Sequence, residues 1–145
     1  MAYCTLADII KLLPEAQLIR LTDDESLGAV NTDRVQEAID SAAEEIDAWI
    51  GARVALPLSK AVPMLTQINV DMAVYNLYSR YSESMPDTRE KRYQNAVRVL
   101  GKISDGSISL GVQAPPNPPA AGNYEKGMRI SARTKDFDTT TMDKF

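Results

Sequence analysis

Any chemistry in this chain has to be done without histidine. Among its 145 residues there is no histidine and one cysteine, Cys4. That removes Ser-His and Cys-His nucleophile pairs, imidazole metal ligands and any intramolecular disulfide. Carboxylates, tyrosines and arginines remain. Asp71 is the most suspicious of them, because it lies beside Met72, one turn after Ile68, in a mostly apolar run. A carboxylate buried there must be hydrogen-bonded or neutralised. No second acid, base or nucleophile can be assembled around it from the sequence. The expectation is therefore a structural ion pair with Arg53 rather than a catalytic acid. Asp47 is an equal alternative partner for Arg53.

The other chemical candidates reduce in the same way. Tyr75, Tyr78, Tyr81 and Tyr93 could stack nucleic-acid bases, but their helical spacing favours core packing with hydroxyls at the rim. Trp49 reads as a core anchor. Cys4 has no neighbouring Lys or Arg to lower its pKa and reads as an inert thiol. Asp23, Asp24 and Glu25 lack the alternating ligands and closing Glu of a calcium loop, so turn and cap chemistry is expected. "GSISLG" lacks the lysine and the following helix of a phosphate loop. The expectation is no catalytic site, no cofactor, no metal and no enzyme.

The elements that would position these residues are helices. Thr5 caps "LADIIKLL", with Asp8 in its first turn and Leu6, Ile9, Ile10 and Leu13 at helical spacing. Pro14 opens a second short helix, "PEAQLIRL". Asn31 or Thr32 caps "DRVQEAIDSAAEEIDAWIGARV", whose Val35, Ile39, Ala42, Ile46, Trp49 and Ile50 make one apolar stripe opposite a carboxylate face. Pro63 opens "PMLTQINVDMAVYNLYSRYS", with Leu65, Ile68, Met72, Tyr75 and Tyr78 inward and Leu77 and Tyr81 flanking. Pro86 opens "PDTREKRYQNAVRVLGKIS", with Tyr93, Ala96, Val97, Leu100 and Ile103 inward. The fold class is all-α: a compact bundle of two short and three longer helices over residues 1–111.

Residues 112–145 read as a separate extended arm. "APPNPPAAG" is a proline-rich spacer that excludes helix. "SISL" before it and "GMRISAR" after it alternate like short strands. Met128, Ile130, Arg133, Phe137, Met142 and Phe145 are the arm's candidate partner-binding residues. From Ser104 onward the extended chain reaches on the order of 100 Å, enough to cross a neighbouring subunit.

Net charge is −4, which argues against a general nucleic-acid binder, and its distribution is uneven. Thr22 to Asp47 carries nine carboxylates against Arg34 alone, whereas Arg80 to Lys102 carries six cations against three carboxylates. The two segments would suit opposite sides of a head-to-tail interface or, equally, two solvated helix faces. The N-terminus lacks the pattern of a signal peptide and no apolar run is long enough to span a membrane, so a soluble intracellular protein is expected.

In order, "YCTLADIIKLLP", "LIRLTDD", "VQEAIDSAAEEIDAWIGARVALPL", "VPMLTQINVDMAVYNLYSRYS" and "RYQNAVRVLGKISDGSISLG" resemble the Mu-like phage and prophage connector family of the gene product thirty-six type. The resemblance covers about Tyr3 to Gly111. Trp49 stands where the family commonly has tyrosine, and Val54 replaces a frequent aromatic; both are apolar exchanges at packing positions. The resemblance implies a structural head–tail connector (adaptor) for head completion, a homo-oligomeric ring docked on the portal protein. Tail-side neck proteins would then be further partners, encapsidated DNA would pass through the ring, and the location would be the virion neck after assembly in the host cytoplasm. A helix-turn-helix regulator of nucleic acid is the alternative. The acidic balance and the want of a basic recognition helix count against it.

Overall fold

Capping residues and prolines set where the chain turns into helix. The computed structural model describes residues 2–80, 85–112, 114 and 115. It contains α1 (Leu6–Leu12), α2 (Glu15–Thr22), α3 (Thr32–Ile50), α4 (Pro63–Ser79) and α5 (Asp87–Ser104). Thr5 and Asp8 form a reciprocal capping box at α1, which satisfies donors that the first helical turn leaves unpaired. Asn31 caps α3 by accepting from the Arg34 N–H at 3.2 Å. Pro14 and Pro86 stand at the N-caps of α2 and α5, and Pro63 is the first residue of α4, where a missing N–H costs nothing.

The apolar stripes converge on one core. α3 contributes Val35, Ile39, Ala42, Ile46 and Ile50, and α5 contributes Ala96, Leu100 and Ile103. Ile9, Leu18 and Leu21 of the N-terminal helices, with Leu13 between them, close one end. α4 lies in the middle, in contact with α1, α2, α3 and α5. Its burial therefore departs from the single stripe expected. Val70, Ala73, Val74 and Leu77 are buried along with Leu65, Ile68 and Met72, while Tyr75 and Tyr78 sit at the rim. A helix covered on several sides needs no polar face. Leu77, expected to flank, is fully buried.

Among the described residues there is no strand. "SISL", whose alternation reads like a short strand, instead folds back on the end of α5. The Ile108 N–H donates to the Lys102 carbonyl at 2.9 Å, and the Ser107 N–H to the Asp105 carboxylate at 2.8 Å. Gly106, at φ +86°, makes that reversal, a conformation that costs a residue with a Cβ. Ile108, Leu110 and Val112 then pack against the core. The expected strand at "GMRISAR" lies outside the described residues.

Candidate interaction surfaces

Asp71 and Arg53, expected to pair, find different partners. Asp71 faces α5 and receives Arg92 at 3.1 Å, with the Gln67 amide at 3.3 Å from its other oxygen. Arg53 turns to the exit of α5 and donates to the carbonyl of Ser104 at 2.8 Å and, more weakly, to that of Asp105 at 3.4 Å. The physical reason is placement. The turn after α3 brings Arg53 against the unpaired carbonyls at the C-terminus of α5, where a cation is favoured. Asp71 instead sits on α4 where it packs on α5. Asp47, the alternative partner of Arg53, accepts a hydrogen bond from the Tyr3 hydroxyl. Burial and that carboxylate push the Tyr3 phenol above its ordinary pKa.

The tyrosines join helices. Tyr75 of α4 and Tyr93 of α5 stack with ring centroids 4.0 Å apart and planes 15° from parallel. The Tyr93 hydroxyl donates to Glu45 of α3 at 3.1 Å. Burial, and next the Glu45 charge, raise the Tyr93 pKa. Each ring thus has one face taken up by the other, and both are half-buried. Tyr78 and Trp49 are half-buried against the core, and Tyr81 lies outside the described residues.

The acidic loop between α2 and α3 is organised by its own backbone. Asp23 accepts from the N–H groups of Leu27 at 2.8 Å and Gly28 at 2.7 Å, and these bonds hold its carboxyl below the usual range. Asp24 lies between Arg34 at 2.8 Å and Arg80 at 3.0 Å. Buried Thr22 accepts from the Asn31 N–H at 3.1 Å and donates to the Leu18 carbonyl at 2.8 Å. This is turn chemistry, with the carboxylates committed to backbone donors and guanidinium groups.

Asn69 in the core and Tyr3 against it are polar residues to which the sequence assigned no role. The Cys4 thiol donates to Asn69 Oδ1 at 2.7 Å, and the Asn69 amide donates to the Ile39 carbonyl at 3.3 Å. Burial pushes the thiol up to about 12, and the nearby Asp8 charge adds to the shift. Asn69 was legible in principle, since it falls between Leu65 and Met72 on the buried stripe of α4. Tyr3 carries no comparable signal.

A shallow groove of about 430 Å³ lies between α1 and the start of α4, lined by Leu12, Ala61, Pro63 and Val70. Asp8 and Lys11 stand at its edge, bonded to each other at 2.9 Å. Among the described residues no group of three Cys, Asp or Glu side chains is placed to hold a metal ion. No helix of the described residues is long and apolar enough to cross a membrane. Met128, Ile130, Arg133, Phe137, Met142 and Phe145 lie outside the described residues.

The sequence matches the family described as Bacteriophage Mu, Gp36 over residues 3–128. The chain belongs to that family. The match extends past Gly111, where the resemblance quoted above stops, and takes in the proline-rich spacer. Within the family, the chain is similar to the Mu-like prophage FluMu protein gp36 of Haemophilus influenzae, with 33% identity over 103 residues. That alignment takes in 71% of this chain and 63% of the relative, so the chain spans less than two thirds of that protein's length. Membership of a phage Mu family makes this a phage-type protein with a helical-bundle body.

Proposed function

We propose that this Gp36-family chain is a structural subunit of the phage neck. In this reading it is a head–tail connector that completes the head by forming a ring on the portal protein, and it has no catalytic role. Tail-side neck proteins would dock on the ring's other side, with DNA passing through its centre. The observation that carries the reading is where the family match ends. Among the described residues the last to pack on the core is Val112, and the family pattern continues to residue 128. A family pattern that runs on past the helices, through a spacer that prolines bar from helix, fits an arm whose partner is another chain. The committed state of the tyrosines, Asp71 and the acidic loop supports a body built for packing.

The test is a chain ending at Val112, compared with the full chain for its ability to complete portal-bearing heads lacking the wild-type protein. The truncated chain is expected to keep its helical circular dichroism and to leave heads that do not join tails. Normal tailed particles from the truncated chain would remove the arm from the account.

A further inference from the structure

The uneven charge of the sequence resolves, in the fold, into charges used inside one molecule and charges left over. From the basic segment, Arg80 is held by Asp24, Arg89 donates to the Leu12 carbonyl at 3.4 Å, and Arg92 is held by Asp71. From the acidic segment, Asp23 and Asp24 serve the loop, Glu45 receives Tyr93, and Asp47 receives Tyr3. Left over are Asp33, Glu37, Asp40 and Glu44 on α3, and Lys91, Arg98 and Lys102 on α5, all exposed; Asp87, exposed too, stands four residues before Lys91 in the first turn of α5. Among the described residues none of the seven left over is in an ion pair; Asp40 has the Gln36 amide at 2.9 Å, and the Lys102 charge helps to lower the Asp105 carboxyl.

The two remainders share one spacing. The acidic row steps by four, three and four residues. The basic row steps from Lys91 through the neutral Asn95 to Arg98 and Lys102 by the same intervals. Each row therefore runs along one outward face for roughly 16 Å. A helix face meant only for water usually mixes signs, because opposite charges at i,i+4 stabilise it and like charges oppose it by a few tenths of a kcal/mol per pair. α3 places like charges at 33/37, 37/40 and 40/44, and its last turn has no basic residue to complement the helix dipole. Asp33, in the first turn, is favoured by the helix dipole; beyond it the row is locally unfavourable, and no cation among the described residues is in an ion pair with it.

We infer that the α3 row of one copy docks along the α5 row of a second copy of this chain. The inference rests on the ring-subunit reading above and names its joint. Every copy carries both rows on different helices, so one pairing leaves an unused row at each end. Copies therefore add head to tail until the series closes. Charges at such a contact fix partner and register and speed encounter more than they add affinity, so the joint weakens with salt.

Two charge-reversed full-length chains test this by sedimentation velocity. One carries Glu37→Lys and Glu44→Lys; the other carries Lys91→Glu and Arg98→Glu. Wild type should associate beyond a dimer at low salt, and at least tenfold more weakly in about 0.5 M salt, where charges are screened within a few Å. Each variant alone should stay monomeric with native circular dichroism, and an equimolar mixture should associate again, alternating around the ring. The inference is overturned if wild type stays monomeric or stops at a dimer at low salt, if each variant associates like wild type, or if mixing restores nothing. Binding of the same proteins to portal-bearing heads separates the two readings. Heads that take up wild type while mixing restores nothing leave the connector standing without this joint. Restored association with no uptake by heads does the reverse.

Discussion

Arg53 closes the C-terminus of a helix that begins thirty-four residues after it, donating from the turn behind α3 to the Ser104 carbonyl at 2.8 Å. The same guanidinium lies 3.8 Å or less from where a Cβ on Gly106 would stand. One side chain thus ties the loop after α3 to the point where the chain leaves the helical body.

Arg53→Ala should lower stability by about 1–2 kcal/mol, the range for a charged donor on a part-exposed carbonyl. Arg53→Lys should recover only part of this, since one ammonium cannot reproduce the planar fork. Gly106→Ala should cost about 1–2 kcal/mol through its left-handed backbone. Urea unfolding of the three variants measures all of these, and an unchanged midpoint for Arg53→Ala would show that the capping bond contributes nothing.

Asn69 is the core's polar tie between α3, α4 and the N-terminal segment. Asn69→Ala or Cys4→Ala should each destabilise by about 1–3 kcal/mol, because a buried partner is left unsatisfied. The double variant should lose less than the sum. With the thiol held up to about 12 against an ordinary 9, the folded chain resists ionisation that the unfolded chain accepts. The stability Cys4 contributes is therefore complete below pH 9 and falls as the pH rises toward 12. Thiol labelling with a disulfide reagent at pH 8 should be slow in the native chain and fast in denaturant.

Asp8 works in the opposite direction. Hydrogen bonds from Lys11 and then from Thr5 lower its carboxyl from 3.8 to about 2. The contribution is present above pH 4 and disappears as the pH falls through 2. Asp23 and Asp105 are shifted the same way by their turn donors, so acid should loosen the α1 cap and both loops together. Asp8→Asn should lower the melting temperature at pH 7 and flatten its dependence between pH 4 and 2. Thermal melts across that range give the comparison.

How much of this could be read from the sequence depends on how local the signal was. The five helices announce themselves through Thr5, Asn31, Pro14, Pro63 and Pro86, because caps and helix-opening prolines act within one turn. The setting of α4 was not legible, since its burial comes from four other helices rather than from its own periodicity. Asp71 was readable as a carboxylate in need of a cation, but the choice of Arg92 over Arg53 is made by helix packing. The partner of Arg53 is a main-chain carbonyl, which no residue type marks. The rows on α3 and α5 were visible only as a charge imbalance until the fold showed which members were already occupied.

Electron cryomicroscopy of the neck of complete tailed particles addresses the central claim directly. The account predicts a ring of five-helix bodies seated against the portal, with density from each body continuing past Val112 onto a neighbouring chain. Particles whose neck lacks this protein, while it accumulates free in the infected cell, would contradict it.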